Sequence, residues 1–188
     1  RARPDLQQLD KAIAALKAAK KPLIISGGGV RYSLAEEILG NFAQARGIPL
    51  CETIAGKGAV LHEHPAYVGG IGVTGSASAN AMAAEADVIV AIGTRLQDFT
   101  TGSWTSFKAD AQFISINAAR FDATKHRAIS VVGDARESLR EMDAALGDWS
   151  APDTWMEKGR DEMAKWDSLI DELQKPSNAH IHSYAQVI

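Results

Sequence analysis

Short unbroken apolar runs alternate along this chain with longer stretches whose apolar residues recur every three or four positions. Pro22-Leu23-Ile24-Ile25, Asp87-Val88-Ile89-Val90-Ala91-Ile92 and Ile129-Ser130-Val131-Val132 have the length and β-branched content of strands buried on both faces. Ile48-Pro49-Leu50-Cys51 and Phe113-Ile114-Ser115-Ile116 read the same way, with Pro49 marking a place where one ladder hydrogen bond is not required. Tyr67-Val68 allows one more short strand, so five to six strands are expected.

Helices are expected between them. Asp5 caps the first, Gln8 stands at the capping-box position, and Leu6, Leu9, Ile13 and Leu16 form its apolar face. Lys17, Lys20 and Lys21 suit its C-terminus, and Pro22 stops it. Ser33 and Glu36 predict a second capping box, with Leu34, Ile38, Phe42 and Ala45 as the packing stripe and Gly47 as the end. Ser76 to Glu85 reads as a small-residue helix. Asp134 and Glu137 cap a helix carrying Leu139, Met142 and Leu146. Trp149 to Pro152 is a linker, and Thr154 to Leu173 is a last helix, capped by Thr154 and Glu157, with Trp155, Met163, Trp166 and Ile170 on one side. No strand follows it, so it should pack outside the sheet or on a neighbouring domain. Residues 53–75 and 96–110 are expected to be long loops, and Asn117 to Arg127 irregular.

Glycine loops follow three of the runs: Ser26-Gly27-Gly28-Gly29-Val30, Gly93-Thr94-Arg95 and Gly133-Asp134-Ala135-Arg136. Strand, glycine turn and helix in this alternation predict an α/β fold, a three-layer, Rossmann-like, doubly wound parallel sheet with an extra C-terminal helix. The strand ends then form one rim, where open α/β sheets bind ligands. Gly28 is expected to need a positive φ, so that Gly28→Val destabilises, whereas Gly40→Ala inside a helix is expected to be neutral or stabilising.

The bulk numbers narrow the function. A chain of 188 residues with 46% hydrophobic and 23% charged residues builds one α/β domain with a few peripheral helices. A net charge of −3, with no basic run, argues against a nucleic-acid partner. No stretch approaches the ~18 apolar residues of a membrane span. Cys51 is the only cysteine, which excludes an internal disulfide and fits a reducing cytoplasm. Residues 1–20 are charged and amphipathic, unlike a signal peptide. Arg1 at the start and the amphipathic Tyr184-Ala185-Gln186-Val187-Ile188 at the end read as the boundaries of an excised piece.

Candidate chemistry is sparse. Gly27-Gly28-Gly29 exposes amides that could cradle a phosphate, but a G-x-G-x-x-G fingerprint would need glycine at Tyr32, and only Glu52 stands where a ribose-binding acid belongs. The plainer reading is a tight strand-to-helix turn that binds nothing. His62 and His64 are two apart and precede Pro65, so they are no helical zinc pair and read as surface or interface residues. Cys51 has no basic neighbour in sequence and reads as a small buried hydrophobe. Thr94-Arg95 sits where a phosphate or carboxylate could be held, or where Arg95 could make a salt bridge across the rim. No G-x-S-x-G elbow supports nucleophilic serine chemistry.

In this order the loops resemble the central domain of thiamine-diphosphate-dependent enzymes of the acetolactate synthase and pyruvate oxidase group. The matching pieces are Lys21 to Val30, Gly47-Ile48-Pro49-Leu50, Ala55-Gly56-Lys57-Gly58, His64-Pro65 with Gly69 and Gly72, Ala86 to Arg95, and Gly133-Asp134-Ala135 with Leu139. The run Gly93 to Trp104, with Ser115 to Asp122, looks most like the branch that opens a cyclic 1,2-diketone in myo-inositol catabolism, the trihydroxycyclohexanedione hydrolases. The resemblance implies a non-catalytic central domain over residues 1–148. Residues 149–188 would be a linker, a helix and the start of a C-terminal cofactor-binding domain entered at Tyr184. It also implies thiamine diphosphate and Mg²⁺ bound by N- and C-terminal domains absent here, a homo-oligomer, and a small-molecule substrate. Some relatives bind FAD or ADP on this domain. The matching rim here is Gly27, Gly28, Gly29, Thr74, Gly75, Gly93, Thr94, Arg95 and Asn117. FAD-binding relatives usually carry an acid where Asn117 falls, and a neutral amide is a weaker acceptor, which counts against FAD. The alternatives are the central domain of an FAD-binding carboligase and a stand-alone nucleotide-binding module.

Overall fold

The computed structural model describes residues 1–176 together with Ile181 and Gln186. The expected helix start at Tyr184 lies outside the described residues. Six strands form one parallel sheet: β1 (Pro22–Ser26), β2 (Leu50–Glu52), β3 (Tyr67–Gly70), β4 (Val88–Ile92), β5 (Gln112–Asn117) and β6 (Ile129–Val132). Their order across the sheet is β3-β2-β1-β4-β5-β6. The order reverses between β1 and β4, which pair from Pro22↔Val88 to Ser26↔Ile92. This is the doubly wound topology expected from the run-and-loop alternation, and its switch point lies between β1 and β4.

Both faces are covered because every residue of β1 and β4 is buried. On one face α1 (Leu6–Ala18), α3 (Glu36–Ala45) and α7 (Ala135–Leu146) bring Leu16, Leu39, Phe42, Leu139 and Met142 onto Ile24, Val90 and Ile114. On the other, α4 (Ala77–Glu85) lays Ala79, Met82 and Ala83 over Leu23, Ile25 and Ile89. The small residues of α4 are what let it lie close. Three short helices, α2 (Gly29–Tyr32), α5 (Asp98–Thr101) and α6 (Arg120–Ala123), occupy the loops at the strand ends. Thus part of the expected 96–110 loop and of the irregular 117–127 stretch is helical.

The last helix, α8 (Asp153–Gln174), packs outside the sheet along α4 and β3. Three contacts tie it there. The Trp155 indole Nε1–H donates to Pro22 O at 2.7 Å. Glu85 accepts from Lys21 at 2.9 Å and also from Lys158. A Cβ on Gly159 would stand 3.1 Å from Val68 Cγ1, so the bare backbone sets the approach. The helix has no side-chain cap, in place of the expected Thr154–Glu157 pair.

Several local expectations differ from the structure for identifiable reasons. The first helix ends at Ala18 rather than running to Lys21, because the Asp87 carboxylate accepts the Lys20 and Lys21 N–H groups and turns the chain into β1. Asp5 does cap it, accepting Gln8 N–H at 2.9 Å, but Leu6 is exposed. The Ser33–Glu36 capping box does not form. Ser33 closes α2, and its hydroxyl accepts the Ala135 N–H, a tertiary partner no local pattern reveals. Leu34 is left exposed at φ 50°, and the buried face of α3 is Leu39, Phe42 and Ala43 rather than a stripe through Leu34 and Ala45. Strand β2 sits later than Ile48–Cys51, with Pro49 just before it.

One glycine expectation is corrected. Gly28 has φ −59°, so it does not need the left-handed region; Gly93, at φ 60°, does. Gly40 lies inside α3 as expected, and an added Cβ there would lie 3.1 Å from the tip of the His64 side chain, at Nε2. The obligatory bare positions of the triplet are Gly27, whose Cβ would meet Thr94 Cα at 2.7 Å, and Gly29, whose Cβ would meet Gly93 Cα at 2.6 Å, backbone in both cases. Gly29→Ala is therefore expected to lose about 1–3 kcal/mol. Gly28→Ala, facing the Ala55 carbonyl at 3.0 Å in a half-buried turn, should lose less. Urea midpoints of the two variants test the ordering, and a Gly29→Ala variant as stable as the parent would contradict the contact.

Candidate functional site

The β1 and β4 loops leave toward opposite faces, with Val30 and Ala35 in one core and Leu96 and Phe107 in the other. In an open α/β sheet this divergence creates a crevice for a phosphate. Here the two loops instead bond to each other. Gly27 N–H donates to Ile92 O at 2.8 Å and Gly29 N–H to Gly93 O at 2.9 Å. Gly93 N–H continues toward β5, donating to Ile116 O at 2.8 Å. A Cβ on Gly27 would stand 2.6 Å from Thr94 Cβ.

Asn117 extends the same lacing. Its Nδ2 donates to Thr94 O at 3.0 Å and its Oδ1 accepts Ala119 N–H at 2.9 Å. Thr94 is buried, and its hydroxyl accepts Leu96 N–H at 3.2 Å. Arg95 is exposed and, among the described residues, forms no ion pair; the salt bridge considered for it is not made. The nine candidate residues therefore do not form one pocket. Gly29, Gly93 and Asn117 border a cavity of about 280 Å³ beside Ser33 and Asp134. Thr74 and Gly75 border a separate one, also about 280 Å³, between the ends of β2 and β3 and the flank of α8.

The second cavity contains the group that sequence reasoning weighed only as a ribose acid. Glu52 is buried, its Oε1 accepting Val60 N–H at 2.9 Å and its Oε2 accepting Gly58 N–H at 3.1 Å. It thereby folds the Gly56-Lys57-Gly58 loop back over β2. An acid at a strand end, six to eight residues before its amide donors, was the available signal. Tyr67 lies beside it, and burial, followed by the Glu52 charge, pushes the phenol up to about 12. Cys51 is fully buried, its thiol donating to Ile24 O at 3.4 Å, and burial pushes its pKa well above the ordinary thiol value.

The two histidines diverge. His62 Nε2 lies 3.4 Å from Asp167 Oδ1 on α8. His64 Nδ1 accepts Ala66 N–H at 3.2 Å, and partial burial lowers its pKa. Among the described residues, no three His, Cys, Asp or Glu side chains stand together as a metal site.

A family model described as thiamine pyrophosphate enzyme, central domain, matches residues 9–142. The 3D-(3,5/4)-trihydroxycyclohexane-1,2-dione hydrolase of Geobacillus thermodenitrificans is 44% identical over 149 residues, 79% of this chain and 23% of that protein. The enzyme of the same name from Clostridium perfringens is 45% identical over 141 residues, 74% of this chain and 22% of its own length. One from Bacillus cereus is 40% identical over 171 residues, 90% of this chain and 27% of that protein. The chain thus spans about a quarter of the length of the curated relatives it matches.

The buried thiol and phenol give a pH signature. The unfolded chain releases these protons near the ordinary values of 9.0 and 10.0, whereas the folded chain holds them. Their contribution to stability is therefore complete below about pH 9 and is lost as pH rises through the folded-state values. Urea midpoints should fall from about pH 9 upward, and fall less steeply in a Cys51→Ala, Tyr67→Phe double variant. Parallel curves for the two proteins would contradict the burial of these groups.

Proposed function

The chain belongs to the central-domain family of thiamine pyrophosphate enzymes, and from that premise we propose that it is the middle domain of a 3D-(3,5/4)-trihydroxycyclohexane-1,2-dione hydrolase acting in myo-inositol breakdown. The observation that carries this reading is the identity to hydrolases of that name along most of the chain. It favours the hydrolase over an FAD-binding carboligase or a stand-alone nucleotide module. The reaction is hydrolytic C–C cleavage of a small cyclic diketone.

In this reading residues 1–148 are the central domain and residues 149–188 lead toward a C-terminal domain. Thiamine diphosphate and Mg²⁺ are held by the flanking N- and C-terminal domains, in a cytoplasmic homo-oligomer without nucleic-acid or membrane partners. When bound, thiamine diphosphate supplies the electron sink that C–C cleavage requires. The residues described here do not fit that role. Among them the only buried carboxylate is Glu52, and it is already held by two backbone amides. Their work is to build the rigid rim. No helix among the described residues is long and apolar enough to cross a membrane.

The rim residues Gly27, Gly28, Gly29, Thr74, Gly75, Gly93, Thr94, Arg95 and Asn117 are proposed to hold FAD or ADP weakly at most. The hydrogen bonds within the rim support this, since the amides of Gly27 and Gly29 and the side chain of Asn117 already have protein partners.

Two measurements test the proposal. The chain alone, with thiamine diphosphate, Mg²⁺ and the cyclic diketone, should show no turnover, whereas a longer polypeptide carrying the flanking domains should hydrolyse it. Turnover by the chain alone would contradict the scaffold role, and a longer polypeptide without hydrolase activity would contradict the assignment. Calorimetric titration of the chain with FAD, ADP and NAD should find binding weaker than micromolar, about −8 kcal/mol. Tighter binding would mean that the rim rearranges to admit a nucleotide.

A further inference from the structure

Among the described residues, one buried charge has no counter-ion. Glu52 is 2% exposed, and carboxylates are almost never buried so deeply unless a cation pairs with them. Its two oxygens accept the Gly58 and Val60 N–H groups, which satisfies hydrogen bonding but leaves the charge. Two basic side chains share its cavity, and neither neutralises it. His62 turns to Asp167 on α8, at 3.4 Å. Lys57 is exposed and, among the described residues, makes no ion pair. The uncompensated field reaches the neighbouring groups: after burial itself, the Glu52 charge is what raises both the Cys51 thiol and the Tyr67 phenol.

Much of the remaining lining is aromatic and apolar. Tyr67 and His62 meet edge to face, with ring centroids 5.8 Å apart. Met163 and the half-buried Trp166 reach the cavity from α8, and Ile71 from the segment after β3. The cavity measures about 280 Å³. A water occupies only ~30 Å³ of its liquid, so a bare ion would leave most of this space unfilled. A buried carboxylate among aromatic rings attracts a cation twice, by its own charge and by the negative ring faces. A neutral ligand would leave the Glu52 charge uncompensated, and an anion would add to it.

We propose that this cavity binds a small organic ammonium ion, its charged head on the Glu52 carboxylate and its carbon body against Tyr67, Met163 and Trp166. The ammonium group supplies the missing counter-charge through a charge-assisted hydrogen bond, and its carbons displace water from the apolar wall. Glu52 belongs to β2, whereas Met163 and Trp166 belong to α8, so the ligand bridges the helix to the sheet. The site is separate from the laced ends of β1 and β4 and from the cavity beside Asn117. It does not depend on the hydrolase reading.

Titration of the ¹⁵N-labelled chain with butylammonium chloride tests the site, because the Gly58 and Val60 amides report directly on Glu52. Their resonances should shift and saturate with a Kd of about 1 mM, a range open to a ligand of about five non-hydrogen atoms. The neutral isostere 1-butanol should bind at least about tenfold more weakly, since it brings no counter-charge. Glu52→Gln should weaken butylammonium binding about tenfold or more. That variant also alters the acceptor of the Gly56-Lys57-Gly58 loop, so Trp166→Leu on α8 serves as the second variant. It should weaken binding about threefold to fivefold, as loss of one cation–π wall predicts, and leave the Gly58 and Val60 resonances of the free protein in place. If Glu52→Gln does not fold, the Trp166→Leu affinity decides. Equal affinity for butanol and butylammonium would overturn the proposal, as would full binding by Glu52→Gln or Trp166→Leu. So would the same shifts on adding potassium chloride alone, which would mean a metal-ion site, or displacement of butylammonium by micromolar ADP or FAD, which would mean a nucleotide site. Absence of any saturable shift would refute it outright.

Discussion

Two stretches of backbone touch where β1 and β4 end, and no side chain fits between them. Gly29 and Gly93 approach so closely that a Cβ on either would fall 2.6 Å from the other's Cα. The adjacent strands send their following segments to opposite faces, so their ends tend to splay. The Gly27–Ile92 and Gly29–Gly93 hydrogen bonds hold them together. Asn117 carries the lacing one strand further by donating to Thr94 O. The path of α2, which starts at Gly29, follows from this contact.

A glycine-rich strand end can serve two ends that compete for the same amides. Left open, it offers N–H groups to a phosphate. Closed, it spends them on its neighbour and becomes a rigid platform. The chain has taken the second course on the Gly27 to Gly29 side. Beside it, Glu52 acts in the same way, accepting two amides from the Gly56-Lys57-Gly58 loop.

The strands were legible because each is a short apolar run buried on both faces, and the doubly wound order follows from the glycine loops between them. The family was legible from the order of those loops. Helix ends were less so. Ser33 and Glu36 have capping-box spacing, yet Ser33 serves Ala135, 102 positions later in the chain. Asp87 stops the first helix from a distance in the same way. The rim residues were legible as a set of positions but not as a geometry. Thr74 and Gly75 stand at a different cavity from Gly29 and Asn117, and whether a glycine amide faces a ligand or a neighbouring carbonyl is decided by tertiary contact. Glu52 was visible as a residue, while its two amide partners were not.

Amide hydrogen exchange at Gly27 and Gly29 tests the closed switch point most directly. Hydrogen-bonded amides held by the sheet exchange only through sub-global or global opening. Both should therefore be protected to the level of the β1 and β4 core amides in the chain alone, and adding ADP or FAD should leave their rates unchanged. Exchange as fast as in an exposed loop, or a nucleotide-induced change confined to these two amides, would contradict the closed rim.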